Sequence, residues 1–205
     1  ELDKEKEEAP PEPWPVQRKA LEALKRTRAD GQKAGLVVFA TGLGKTWLSA
    51  FDFHSDRERF RRVLFVAHRE EIIEQARKTF GKILPSVSRG VFTGKEKMPD
   101  ADMVFASIQT LSRKSHLSRF DPQHFDYIVV DEFHHASAAT YRRLIDHFKP
   151  KFLLGLTATP ERTDGGNILA LCDHNLVFRC DLGDGIEKEK KLCPFKYFGV
   201  PDEVD

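Results

Sequence analysis

Apolar positions along this chain follow two alternating patterns. Short unbroken runs, rich in Val, Leu, Ile and Phe, occur at 36–40, 63–67, 103–106, 127–130 and 152–156. Between them, 44–53, 69–80, 108–118 and 137–148 carry apolar residues at helical spacing. A shorter run at 90–93 adds a strand. Ahead of the first strand, 16–28 reads as a helix through Ala20, Leu21 and Leu24, ended by Asp30-Gly31. Strands that are apolar at every position are buried on both faces, and their alternation with helices predicts an α/β domain with a mostly parallel central sheet. Ligands in such sheets gather at the carboxyl ends of the strands, so chemistry is expected in the loop after each strand.

Composition narrows the picture. The 205 residues are 40% hydrophobic and 32% charged, enough apolar material for a core. No apolar run approaches the ~18 residues that span a bilayer, so no membrane partner is expected. The first eight residues hold five acids and two lysines, a net of −3, so the rest of the chain carries +4 of the total +1. That balance is compatible with nucleic acid without arguing for it. Residues 1–13, charged and then proline-rich, read as a linker; composition changes again near Asp181, where a charged stretch at 184–191 and a strand-like 192–200 either close this domain or open another. Cys172, Cys180 and Cys193 have no paired spacing, which predicts reduced thiols of a cytoplasmic protein. The chain starts at Glu1 and is expected to be part of something longer.

The loop after the first strand reads Phe39-Ala40-Thr41-Gly42-Leu43-Gly44-Lys45-Thr46. It departs from the phosphate-loop pattern only at Phe39, where that pattern asks for Gly. Gly42 and Gly44 allow the backbone to curl round an anion, with amides and the positive end of the next helix facing phosphates. Lys45 supplies a point charge, and the Thr46 hydroxyl can ligate Mg²⁺. The run at 127–130 ends in Asp131-Glu132-Phe133-His134-His135. Adjacent strand residues face opposite ways, so Asp131 can hold Mg²⁺ while Glu132 orients and deprotonates the attacking water, the two tasks phosphoryl transfer needs. His134 and His135 lack a third ligand for zinc, and His68-Arg-Glu-Glu fails the metalloprotease pattern.

With these stand Gln17 in Pro-Val-Gln-Arg-Lys-Ala-Leu, Val-Ala-His-Arg-Glu-Glu at 66–71, Ser-Ile-Gln-Thr-Leu at 107–111 and Leu-Thr-Ala-Thr-Pro-Glu-Arg at 156–162. The ordered set resembles the first RecA-like motor domain of superfamily 2 helicases, nearest in form to type III restriction-enzyme Res-subunit-like and UvrB/XPB-like DNA helicases. The resemblance covers about 14–180, leaving 181–205 as a junction, and implies a RecA-like P-loop NTPase three-layer sandwich that uses ATP and Mg²⁺. It implies that Gln17 reads the adenine edge and that Thr41, Gly42, Leu43, Gly44, Lys45 and Thr46 bind nucleotide. It gives Lys45, Asp131 and Glu132 the catalytic roles and Thr46 and Asp131 the metal. His134, Thr157 and Thr159 are implied to couple hydrolysis to strand binding. Phe133 departs from the family's Asp-Glu-Ala-His form. Trp14, three residues before Gln17, either touches adenine or packs on the first helix.

The resemblance also implies that His68, Arg69, Thr93, Gly94, Ser107, Gln109 and Thr110 face nucleic-acid phosphates. Read from the residues alone, each follows or ends a strand, so all share one end of the sheet; ordinary loop residues and helix caps are the other reading, with Ser107 in particular a cap for the helix that follows. Phosphate contacts carry little sequence preference. DNA is the expected partner, single-stranded or duplex, with RNA and a non-catalytic binding module as alternatives. Arg57, Arg59, Arg61 and Arg62 precede a strand, so they lie at the opposite end and read as a solvated face; 113–119 is the better candidate for extra strand contacts. A motor of this family needs a second RecA-like domain carrying an arginine finger, and no second phosphate-loop core fits after Pro160. Arg162 is expected to meet the strand or that second domain.

Overall fold

The computed structural model describes residues 11–131, 138–158 and 169–181. In order, α1 spans Pro15–Ala29, β1 Ala34–Phe39, α2 Lys45–Ser55, β2 Val63–Ala67, α3 Glu70–Ile83, β3 Arg89–Phe92, β4 Met103–Ser107, α4 Ile108–Leu111, α5 Lys114–Leu117, β5 Tyr127–Asp131, α6 Ala138–His147, β6 Phe152–Thr157 and β7 Leu176–Cys180. The strands form one seven-stranded sheet in the order β3-β4-β2-β5-β6-β1-β7. Every pairing among these strands is parallel.

Strand alternation sorts the core into two layers. Phe65, Phe105, Tyr127, Val129 and Leu154 face α1, α2 and α3, meeting Leu24, Phe53 and Phe80. Leu64, Val66, Val104, Ile128 and Val130 face the other way, onto Ile108, Leu111, Tyr141 and Leu144 of α4 and α6. The result is helices, sheet, helices: the three-layer sandwich expected. Helix α1 shows why the apolar spacing worked, since Val16, Ala20 and Leu24 recur at i, i+4 and i+8 and are all buried. Asp30 caps its end, and Gly31 takes the left-handed backbone (φ 83°) that turns the chain into β1.

Two expectations need correcting. The helix expected over 108–118 is two four-residue helices, broken where Arg113 is extended (φ −67°, ψ 132°). Tertiary bonds hold the break: Arg143 Nη1 donates to the Ser112 carbonyl at 3.2 Å, and the His116 ring bonds the Thr110 carbonyl at 2.7 Å. Strand β7 was not anticipated. Only its last residue is buried, and its apolar run, Leu176–Phe178, is short and stops at Arg179. It forms because β1 offers an edge and Gly35 offers room; a Cβ at Gly35 would sit 2.4 Å from Val177 Cγ2. Cys172 and Cys180 are free thiols, as expected, and burial pushes Cys172 up to about 12. Cys193 and 184–200 lie outside the described residues.

Candidate nucleotide and nucleic-acid sites

Because the strands are parallel, every strand-end loop opens on one edge. Strand β6 lies between β1 and β5, with Val38 level with Thr157 and Asp131 level with Leu156. The phosphate loop after β1 and Asp131 at the end of β5 therefore flank Thr157, two strand spacings or about 10 Å apart. Asp131 is 3% exposed and Thr157 is fully buried. Glu132, His134 and Thr159, with Phe133, His135 and Arg162, lie outside the described residues.

The loop has the geometry its glycines suggested. Gly42 (φ 91°) and Gly44 (φ 77°) are both left-handed, and Gly44 caps α2. Thr41 and Gly42 are exposed, while Leu43 is buried as the loop's anchor. Thr46 lies in the first turn of α2, and its carbonyl accepts from Ser49 Oγ at 2.8 Å. Lys45 Nζ folds back to the Phe39 carbonyl at 3.4 Å. That contact uses only backbone from Phe39, whose ring is buried against Phe178 of β7 (centroids 5.8 Å apart). A bulky apolar residue is thus accommodated where the pattern asks for Gly. The donor set suits Mg²⁺, which takes one or two carboxylates and a hydroxyl and leaves the rest to phosphate and water. Among the described residues no group of three His, Cys, Asp or Glu side chains could hold a metal by itself.

Gln17 is buried, and its amide is turned onto the loop. Nε2 donates to the Leu43 and Gly44 carbonyls, both at 3.2 Å, and Oε1 accepts from the Trp14 amide at 2.9 Å. Beside it, Trp14, Gln17, Trp47 and Phe51 line a cavity of about 210 Å³ together with Pro11 and Glu12. Trp14 is 38% exposed and lines this cavity. Trp47 and Phe51 were missed by sequence reasoning. Their signal was available: i, i+4 spacing on the helix that follows the phosphate loop puts both rings on one face.

The other half of the edge holds the residues expected to meet nucleic acid. Ser107 ends β4, level with Ala67 of β2, and β3 runs into Thr93-Gly94. Ser107 is the cap of α4, accepting from the Thr110 amide at 3.4 Å, and its hydroxyl donates to Gln109 Oε1 at 2.8 Å. Gln109 Nε2 in turn bonds His68, at ring Nδ1 and at the carbonyl (3.3 Å). His68, Gln109 and Ser107 are therefore one connected chain across β2 and β4, with Arg69 exposed beside it at the start of α3. Thr93 and Thr110 are mostly buried, and Thr93 Oγ1 accepts from the Lys95 and Glu96 amides, closing its own turn. The capping reading thus holds for Ser107, Thr93 is a turn residue, and Gly94 and Gln109 are exposed.

The basic cluster at 57–62 is more than a solvated face. Arg57 donates to the Phe60 and Arg61 carbonyls (3.0 and 2.8 Å) and lies over the Phe53 ring at 4.7 Å. Asp126 accepts from the Arg61 and Arg62 amides and from Lys151, 2.9 Å away. Partial burial opposes this carboxylate's charge, but the bonds from Lys151 and the two amides outweigh it and hold its pKa below the usual range.

The family model "Type III restriction enzyme, res subunit" matches residues 11–162. The chain belongs to this family. This Res-family chain is 31% identical over 204 residues to IRC3 of Saccharomyces cerevisiae, whose name assigns it provisionally as an ATP-dependent helicase; the match covers 92% of the chain and 29% of IRC3. It is 30% identical to the EcoAI type I restriction endonuclease subunit of Escherichia coli, covering 91% of the chain and 23% of the relative. Among solved structures it resembles the Sulfolobus solfataricus SWI2/SNF2 ATPase core in complex with dsDNA, with TM-score 0.62 and 22% identity over 81% of the chain and 38% of that structure. The Res-family chain thus has the fold and kinship of a first RecA-like domain of superfamily 2, and spans less than a third of the curated relatives just named. Among the described residues, no helix is long and apolar enough to cross a membrane.

Proposed function

We propose that the Res-family chain is the ATP-binding first motor domain of a DNA helicase or translocase, which couples ATP hydrolysis to movement on DNA together with a second RecA-like domain. The observation that carries this reading is the shared edge: a glycine loop with Lys45 and Thr46 on one side of β6, and Asp131 on the other. In this reading Thr41 to Thr46 cradle the phosphates, and Thr46 and Asp131 hold Mg²⁺. Bound there, the ion would neutralise charge developing on the phosphates. Glu132 activates water, and His134, Thr157 and Thr159 couple the two sites. Gln17 and the Trp14–Trp47–Phe51 cavity take the base, with Gln17 exchanging a loop carbonyl for adenine. His68, Arg69, Gly94 and Gln109 meet DNA phosphates directly, while Ser107, Thr93 and Thr110 shape the loops that do so. Residues 14–180 form the ATP-binding domain, and 181–205 lead to the second domain. DNA is preferred because a further relative, 28% identical over 134 residues, is named the DNA 3'-5' translocase XPB2 of Sulfurisphaera tokodaii. Cytoplasmic residence is part of the reading and is checked by cell fractionation.

Steady-state ATPase and fluorescent-nucleotide binding test it, with and without single-stranded DNA and RNA. The chain by itself is expected to bind nucleotide and turn over slowly, since an arginine finger from a partner domain is worth about 10³–10⁵ in rate. Lys45→Ala should abolish binding. Unchanged binding in that variant would point to a non-catalytic module, and stimulation by RNA but not DNA would point to RNA remodelling.

A further inference from the structure

At the amino-terminal edge of the sheet, away from every sequence motif, a charged cluster sits inside the core. Arg28, in the last turn of α1, forks onto Asp52 of α2, with Nη1 2.8 Å from Oδ2 and Nη2 2.9 Å from Oδ1; the two side chains are 4% and 1% exposed. The Tyr127 hydroxyl, at the start of β5, donates to the same Oδ2 at 2.7 Å. The guanidinium also lies over Phe60 and over Phe152, the first residue of β6, at 5.5 and 5.3 Å. Burial and the charge of Asp52 hold Tyr127 well above its ordinary value, so the hydroxyl stays a donor.

A buried ion pair is weak evidence for stability, because apolar residues of similar volume often do as well. What a bidentate fork supplies is direction. The strands are already tied to one another by backbone ladders, whereas α1 and α2 lie on the sheet through apolar contacts, which have no direction. Each element the cluster joins carries a nucleotide-half residue at its far end: Gln17 on α1, Lys45 and Thr46 on α2, Asp131 on β5 and Thr157 on β6. Arg28 is eleven residues from Gln17 along α1, and Asp52 is seven from Lys45 along α2, levers of about 16 and 10 Å. A 10° tilt about the cluster would move those tips by about 2–3 Å, far beyond the ~0.5 Å tolerance of a working site.

We propose that Arg28, Asp52 and Tyr127 are positioning residues for the nucleotide site, orienting α1 and α2 on the sheet so that Gln17, Lys45 and Thr46 meet Asp131. The inference rests on the nucleotide reading above. Its test is the affinity of the chain for a fluorescent ADP analogue, measured without denaturant on variants whose folding is verified by circular dichroism and urea titration. Arg28→Lys keeps the charge but loses the fork, and Tyr127→Phe removes one hydroxyl. Val104→Ala, buried in β4 on the nucleic-acid half, is the control for stability loss alone. Arg28→Lys and Tyr127→Phe should each lose about fivefold or more in affinity, the worth of one misaligned hydrogen bond to phosphate, while Val104→Ala binds as wild type. If Arg28→Lys does not fold, Tyr127→Phe alone decides. Wild-type affinity in a folded Tyr127→Phe protein, or an equal loss in Val104→Ala, overturns the proposal. Wild-type affinity in Lys45→Ala would instead refute the nucleotide reading, and the positioning role with it.

Discussion

Gly44 offers a sharp test of how α1 and the phosphate loop fit together. Its backbone is left-handed (φ 77°), and a Cβ there would lie 2.6 Å from Gln17 Nε2. Gly44→Ala therefore meets two separable costs. The left-handed conformation costs a non-glycine residue about 1–2 kcal/mol. Displacing the Gln17 amide forfeits its bonds to the Leu43 and Gly44 carbonyls, and leaving buried polar groups unpaired costs about 1–3 kcal/mol more. The single variant should thus lose about 2–5 kcal/mol. In a Gln17→Ala background nothing is displaced, so Gly44→Ala should cost only the backbone share, about 1–2 kcal/mol. The assay is urea unfolding of wild type, both single variants and the double variant, followed by far-UV circular dichroism with slopes compared. The coupling between the two sites should be about 1–3 kcal/mol. Additivity to within about 0.5 kcal/mol would refute the seating of Gln17 against Gly44. A stabilising Gly44→Ala, the usual result where φ is negative, would refute the left-handed turn.

Other outcomes follow from single contacts. Arg28→Met should cost about 3–5 kcal/mol in urea unfolding by stranding Asp52, whereas Arg28→Met with Asp52→Leu and Tyr127→Phe should recover most of it; no recovery in the triple variant would show that the cluster matters for more than pairing. The pKa of Asp126 is depressed on folding, so its contribution is present above the unfolded value of about 3.9 and is lost as pH falls through the lower folded value. The stability gap between wild type and Asp126→Asn should accordingly be full near neutrality and close in acid, and a pH-independent gap would contradict the Lys151 pairing. Gly155→Ala would place a Cβ 2.8 Å from Cys172 Sγ and 3.1 Å from Leu36 Cδ1, an overpacking cost of about 1–3 kcal/mol that Cys172→Ala should relieve.

What the amino-acid sequence determined by itself was the architecture and which loops carry the candidate residues. Runs such as 63–67, apolar at every residue, have no solvent face, which leaves only a sheet covered on both sides, and parallel strands then bring every strand-end loop to one edge. The turn after β1 was legible because two glycines, Lys45 and Thr46 are local features whose spacing matches the phosphate-loop pattern, and both glycines are left-handed as that pattern needs. Strand β7 was not legible: an edge strand is half solvated, its apolar run Leu176–Phe178 is short and stops at Arg179, and the free side of β1 and the gap at Gly35 call it into the sheet. The break between α4 and α5 was hidden for a similar reason, since Arg143 reaches Ser112 from 31 residues away.

Tertiary structure alone decided the arrangement of the candidate residues. Sequence order cannot show that β6 lies between β1 and β5, nor that the amide of Gln17, expected at an adenine edge, rests on the Leu43 and Gly44 carbonyls. The capping role of Ser107 was open in the sequence because the same hydroxyl suits a helix end or a phosphate. The Arg28–Asp52–Tyr127 cluster joins residues 24 and 75 positions apart, and nothing local marks Arg28 or Asp52 as buried or shows that Tyr127, on its buried strand, reaches them. Pairing across such distances depends on how the layers stack, and that is settled only when the whole core packs.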